Sequence, residues 1–399
     1  MPKFADRNFS GLYLSPWGRK KRSIGFFKIV LWCIIAHFTI GTSVRAEILI
    51  AAVGPMKGQY AALGEQLSRG AGQAVADINA SGGVNGEQLV LEAVDDGCDP
   101  KMAIAVANQL VAKGVKLVAG HYCSGSSIAA AKIYEAAGVI MISPSSTSPI
   151  FTNEGGWNVN RVCGRDDAQG AFAGRAIAKA YVGKSVAILD DGSVYGLGLA
   201  AMFKAALNGA GVTERVRESY QPGANDYNDL IQKLLSANVE LIYVGGYAFE
   251  AGTIIRQMRD FASPAVLVGG DALLVDQFWA TSGTSGEGTL VTFAPDVQKS
   301  QAAKPVINAF VAAGYNPEGY TLHAYAAVQA FAQAAAATRS VDGRRLSQWL
   351  RAGSSLNTVL GPLSLDARGD VKEPSFAWYK WSEGSYAEAQ PFPATTSTP

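Results

Sequence analysis

Two loops rich in small hydroxyl side chains hold the residues best suited to grip a small anion. The stretch Gly120–Pro149 reads GHYCSGSSIAAAKIYEAAGVIMISPSSTSP. Ser124, Ser126 and Ser127 fall in its first polar run, and Ser145, Ser146 and Thr147 in its second. Neither run contains an acidic residue, a lysine or an arginine. Hydroxyls together with the free N–H groups of a helix start suit a carboxylate. The same serines are also ordinary N-caps and turn residues, so a second pole is needed to decide. Asp271 offers one, in Gly269-Gly270-Asp271 just after the predicted strand Ala265–Val268. Tyr195 and Tyr247 each follow a predicted strand in the same half of the chain. A cationic group would sit on Asp271 while the hydroxyl loops hold an anionic one, and an α-amino acid carries both. The competing role for Asp271 is the N-cap of the segment that follows it.

Other chemistries fit less well. Gly196-Leu197-Gly198-Leu199-Ala200-Ala201 satisfies G-x-G-x-x-A, but the intervening Asp191–Tyr195 puts the glycines inside a helix rather than in the strand-to-helix turn. Ser124 lies in Cys-Ser-Gly, without the G-x-S-x-G elbow of a hydrolase, and no third group orients His121 beside it. Asp95-Asp96-Gly97-Cys98-Asp99-Pro100 lacks the later ligands of a calcium loop; Asp99 before Pro100 reads as a helix N-cap. No cofactor and no metal are expected.

These residues must be positioned by alternating elements. Lys116–Ala119 and Val139–Ser143 are apolar runs flanking a helical Ser126–Ala137, a βαβ unit whose loops leave the carboxyl ends of neighbouring strands. The alternation continues through about two α/β domains' worth of strands. Predicted helices over Pro305–Ala313, Thr321–Thr338 and Arg345–Arg351 follow, then strands over Asn357–Leu365 and Ser375–Trp381. The 399 residues carry 34 basic and 33 acidic side chains, so the balanced charge speaks against a nucleic-acid partner.

Arg19, Lys20, Lys21, Arg22 and Lys28 precede the apolar run Ile29–Ile40 and the small residues around Gly41–Ala46. That pattern predicts a secretory signal peptide over 1–46, cleaved after Ala46, since the run is shorter than the roughly 20 residues of a spanning helix. Of the four cysteines, Cys33 leaves with the leader. Cys98 and Cys123 both follow predicted strand ends and are expected to pair in an oxidising compartment, leaving Cys163 as a buried thiol.

Taken together, Ala74–Asn79 with Gly82-Gly83, Asp95–Pro100, Gly120–Ser124, Ser143–Thr147, Gly245-Gly246-Tyr247, Gly361-Pro362-Leu363 and Gly369-Asp370 are identified as motifs of a known family. The chain resembles the leucine/isoleucine/valine-binding proteins, the type I periplasmic substrate-binding subunits of branched-chain amino acid ABC transporters. The resemblance implies an α/β fold of two Rossmann-like lobes with parallel central sheets, joined by three hinge crossings. It implies a first lobe of 47–163 plus 296–356, a second of 164–294 plus 373–387, and a flexible tail over 388–399. Ser124, Ser145 and Thr147 fall where the family holds the carboxylate and amino groups, and Asp271 where it has an acid on the ammonium. Tyr195 and Tyr247 fall at closing positions, while Leu63 stands where an aromatic residue often flanks the ligand side chain. A Cys98–Cys123 disulfide also matches. The implied protein is a periplasmic monomer, not an enzyme, that passes an amino acid to a membrane permease. An amide, urea, an aromatic acid or a sensing role are the alternatives on the same fold.

Overall fold

The computed structural model describes residues 47–224, 226–390 and 392. The leader expected over 1–46 and the end of the tail, 393–399, lie outside the described residues. The first lobe is laid down as β1 (Glu47–Gly54), α1 (Ala61–Ala80), β2 (Gln88–Asp95), α2 (Pro100–Ala112), β3 (Leu117–Gly120), α3 (Ser124–Ala136), β4 (Ile140–Ser143), α4 (Pro149–Asn153) and β5 (Val159–Arg161). Its sheet runs β2-β1-β3-β4-β5, every pairing parallel. Strands β3 and β4 are buried end to end, as parallel strands covered on both faces must be, and this is why they read as unbroken apolar runs.

The second lobe holds α5 (Asp166–Ala180), β6 (Val186–Asp190), α6 (Val194–Gly209), β7 (Val216–Ser219), α7 (Asn228–Ser236), β8 (Leu241–Gly245), α8 (Ala248–Asp260), β9 (Val266–Gly269), α9 (Asp276–Ser282) and β10 (Leu290–Phe293). Then come α10 (Lys304–Ala312), α11 (Thr321–Thr338), α12 (Gly343–Arg351), β11 (Leu356–Thr358), β12 (Gly361–Leu363), β13 (Ala377–Ser382) and β14 (Ser385–Ala389). The second sheet runs β14-β13-β10-β9-β8-β6-β7; its last two strands in sequence close one edge antiparallel. Helix α11 returns to the first lobe and lies against α1 at Gly70. A Cβ there would stand 2.1 Å from the Thr321 carbonyl oxygen, so only glycine permits this approach.

The chain crosses between the lobes three times, over 162–165, 294–303 and 364–376. The first and third crossings are pinned together by charge. Arg161, fully buried, sets its Nε 2.7 Å from Asp370 Oδ1, and Arg165 Nη1 lies 2.7 Å from Asp370 Oδ2. Thr152 donates to the same carboxylate at 2.9 Å. A buried carboxylate with two guanidinium partners and a hydroxyl is the satisfied arrangement that burial of charge requires.

Three expectations are corrected. Asn357–Leu365 is a small antiparallel hairpin, β11 with β12, rather than one strand. The Thr358 hydroxyl closes its turn by accepting from Leu360 N and donating to the Gly361 carbonyl. The tail expected from 388 keeps strand structure to Ala389, because β14 pairs with β13 and seats Tyr386 against Trp381, ring centroids 4.9 Å apart. Helix α3 starts at Ser124 rather than Ser126, which moves Ser124 into the first helical turn.

Candidate functional site

The site starts from a buried histidine. His121, at the end of β3, has Nδ1 2.7 Å from Asp96 Oδ2 and Nε2 3.1 Å from the Tyr134 hydroxyl. Its ring is therefore fully engaged in holding the strand end, and its carbonyl accepts from Ser127, Ser143 and Ser146. Tyr122 O accepts from Ser145 at 3.0 Å and from Ser146 at 3.2 Å. Three of the six hydroxyls that suggested an anion site, those of Ser127, Ser145 and Ser146, thus bind the two loops to each other. The Cys98–Cys123 disulfide, Cα atoms 5.4 Å apart, ties the β2 loop to the same strand end. The two cysteines flank β1, one strand to either side.

Ser124 is different. Its Oγ accepts from Ser148 N at 3.2 Å, and none of the described groups takes its proton. It sits at the first position of α3, where the leading N–H groups have no intrahelical acceptor. A hydroxyl donor beside a helix start is a fit for one carboxylate.

The opposite wall comes from the second lobe. Asp271 follows β9 in a short 3-10 turn, and its side chain does not cap that turn; only its carbonyl accepts from Leu274 N. Oδ1 accepts from the Tyr195 hydroxyl at 3.0 Å, and Oδ2 from the Tyr320 hydroxyl at 2.6 Å. Burial pushes this carboxyl above its usual range, and the two phenol donors pull it back. Tyr247 stands between Tyr60 and Tyr195, with ring centroids 5.0 and 5.4 Å away. Between the two walls lies a small, tightly closed-down cavity, lined by Tyr122, Ser124 and Ser145 on one side and by Tyr195, Tyr247, Asp271 and Ala272 on the other.

The lobes are held shut by further bonds. Gln59 Nε2 and the Tyr60 hydroxyl both donate to Glu250 Oε1, at 3.0 and 3.2 Å. Gln277 Nε2 donates to the Gln59 carbonyl, and Asp276 N donates to Glu318 Oε2 at 2.7 Å. Burial drives Glu318 up to about 8, and it also raises Glu250.

Of the residues expected at the site, the fold brings Ser124, Ser145, Tyr195, Tyr247 and Asp271 to one cavity. Thr147 and Leu63 are buried but are not among its lining residues. Leu63 lies in α1 one turn before Gln66, which accepts from both Tyr122 OH and Tyr320 N. Tyr122, Ala272 and Tyr320 went unnoticed in the sequence. Tyr122 sits inside the serine-rich stretch, whereas Tyr320 reaches Asp271 only through the tertiary fold. Of the G-x-G-x-x-A glycines, Gly196 serves packing, since a Cβ there would stand 2.5 Å from the Gly245 carbonyl oxygen where α6 lies tight on β8, whereas Gly198 faces open space. Cys163 is buried, which raises its thiol to about 12. No cluster of three or more potential metal ligands occurs among the described residues.

A family model described as periplasmic binding protein matches residues 47–385. The Leu/Ile/Val-binding protein homolog 1 of Brucella suis is 40% identical over 360 residues, 90% of this chain and 96% of that protein. An amino acid binding protein of Pseudomonas aeruginosa is 40% identical, covering 87% and 94%. Among solved structures, the leucine binding protein LivK of Thermotoga maritima superposes with a TM-score of 0.80 at 24% identity, covering 86% of this chain and 98% of its own. LivJ of Streptococcus pneumoniae, solved in complex with isoleucine, gives 0.78 at 25% identity, covering 86% and 100%.

Proposed function

Because the chain belongs to the periplasmic binding protein family, we propose that it captures an α-amino acid between its two lobes and delivers it to the permease of an ABC transporter. Members of that family work outside the cytoplasm and bind solutes for transport. The observation that carries the amino-acid reading is the pair of opposed poles across one cavity. Asp271 supplies the negative pole, while the Ser124 hydroxyl and the first turn of α3 supply the donors. Ammonium on Asp271 and carboxylate on α3 satisfy both without a metal or a mobile counter-ion. Thr147 completes the set as a partner of the amino group, and Leu63 backs the ligand's side chain through the α1 wall.

Branched aliphatic side chains are the favoured class. Tyr122, Tyr195, Tyr247 and Ala272 give the remaining wall apolar surface, and relatives at about 40% identity are Leu/Ile/Val-binding protein homologues. An aromatic acid would face Asp271 with no cation to offer it. The protein acts as an exported monomer, released from its leader after Ala46.

The direct test is a thermal-shift and calorimetric panel of amino acids, urea, amides and aromatic acids. Ligand at about 100 Kd should add roughly 2.7 kcal/mol of stability. Stabilisation by leucine, isoleucine or valine supports the reading; a response to amides or aromatic acids alone would remove it.

A further inference from the structure

A second carboxylate lies close to Asp271 and is used by nothing described so far. Asp166 opens α5, directly after the first crossing, and is fully buried. Neither of its oxygens has a hydrogen-bond partner of ordinary geometry. The hydroxyl of Thr147 beside it is buried and unpartnered as well. The two residues are linked across the lobes, because Asp166 N donates to the Thr147 carbonyl at 3.0 Å. One turn further along α5, Gln169 reaches Thr292, and its amide lies close to Gly270, the neighbour of Asp271. Buried polar atoms are nearly always satisfied, and here a carboxylate acceptor stands beside a hydroxyl donor that acts on it, so the two are matched to each other close to Asp271.

We propose that Asp166 is a positioning residue of the binding site, taking the Thr147 hydroxyl proton so that the Thr147 oxygen is turned to receive the ligand's cationic nitrogen together with Asp271. The inference rests on the amino-acid reading above. The Thr147 hydroxyl has one donor proton and two acceptor lone pairs: if its O–H goes to Asp166, the lone pairs are left for an ammonium hydrogen. The negative charge of Asp166 then reaches the nitrogen through one hydroxyl.

Proton bookkeeping makes this measurable. Burial and the nearby Asp271 raise the Asp166 carboxyl, while Arg161 and the Thr147 hydroxyl lower it. Arg161 is already committed to Asp370, and Asp167 on the same turn is paired with Arg165. Tyr195 on α6 and Tyr243 on β8 are the phenols that feel the Asp166 charge, and burial keeps both neutral. In the empty cleft Asp166 therefore retains a proton to higher pH than a free carboxyl. An arriving ammonium favours the charged form, so binding expels that proton. The other carboxyls that burial raises, Asp191, Glu250, Asp271 and Glu318, are common to the wild type and the variants below, so differences between them isolate Asp166.

The experiment is leucine titration calorimetry of wild type, Asp166→Asn, Thr147→Val and the double variant, each in buffers of different ionisation enthalpy, with thermal unfolding as the folding control. Asp166→Asn is isosteric and removes an unpartnered buried acid, so its unfolding temperature should hold. The expected result is fewer protons released per leucine in Asp166→Asn than in wild type, together with about a tenfold loss of affinity. The double variant should bind about as well as Thr147→Val alone, since the two side chains act as one unit. Equal proton release in wild type and Asp166→Asn, or losses that simply add in the double variant, would overturn the role of Asp166. Failure of wild type to bind any α-amino acid is read from wild type alone and overturns the amino-acid reading itself.

Discussion

The hydroxyl of Tyr320 donates to Asp271 Oδ2 at 2.6 Å, from the head of α11 in the first lobe to the end of β9 in the second. Tyr195 holds the other oxygen of the same carboxylate from within the second lobe. Asp271 is thus both a wall of the cavity and a point where closure is registered. Only contacts that differ between open and closed arrangements shift their balance, and this bond joins the two lobes directly.

Asp271→Ala should weaken leucine binding by about 2–5 kcal/mol, because an ammonium in a closed cleft loses its partner. Ser124→Ala should cost less, about 1–2 kcal/mol, since the N–H donors of α3 remain. Calorimetry on both variants checks the order. Equal losses would mean the two poles are not distinct.

Tyr320→Phe should weaken binding by about 1.5–3 kcal/mol, the range for a hydrogen bond to a charged group. The phenyl ring can keep its place against Phe293 and Tyr122, so the loss should fall on affinity rather than on the unfolding midpoint. A denaturant titration run beside the calorimetry separates the two.

Replacing both Cys98 and Cys123 by serine should lower stability by about 3–4 kcal/mol, from the loop entropy of a 25-residue separation. The urea midpoint should fall with little change in slope. An unchanged midpoint would assign the bridge a local role in shaping the β2 and β3 loops.

Glu318 supplies a pH signature. Burial raises its carboxyl from 4.5 to about 8, the neighbouring Asp276 adding to the rise. The folded form therefore holds a proton that the unfolded chain has released. Stability through this group is full below about 4.5 and declines as the pH climbs to about 8. In Glu318→Gln that decline should flatten, measured as unfolding temperature against pH. A profile matching wild type would show that the carboxyl is solvated in solution.

Much of the scaffold was legible from sequence. Period-2 and period-3.6 patterns mark local structure, so Thr321–Thr338 as a helix and the βαβ unit around Gly120–Pro149 could be read directly. Asp99 as the cap of α2 was equally plain, and its carboxylate accepts from Lys101 N at 2.6 Å. Spacing alone could not separate Asn357–Leu365 into a hairpin, because the deciding bond is the Thr358 side chain folding back on its own turn.

The chemistry of the poles, hydroxyls on one side and a carboxylate on the other, was set by residue type and by position after strand ends. What the hydroxyls do was decided by the tertiary structure. Ser127, Ser145 and Ser146 donate to the carbonyls of His121 and Tyr122, because a buried loop must satisfy its own backbone first. Of the two serines that line the cavity, Ser124 keeps its proton for it, and the buried Thr147 hydroxyl is also without a partner among the described residues. The partners of Asp271, 49 and 76 residues away, and the pairing of Asp166 with Thr147 arise where distant segments of the chain meet. No local pattern encodes such meetings, since they depend on how two sheets are set against each other.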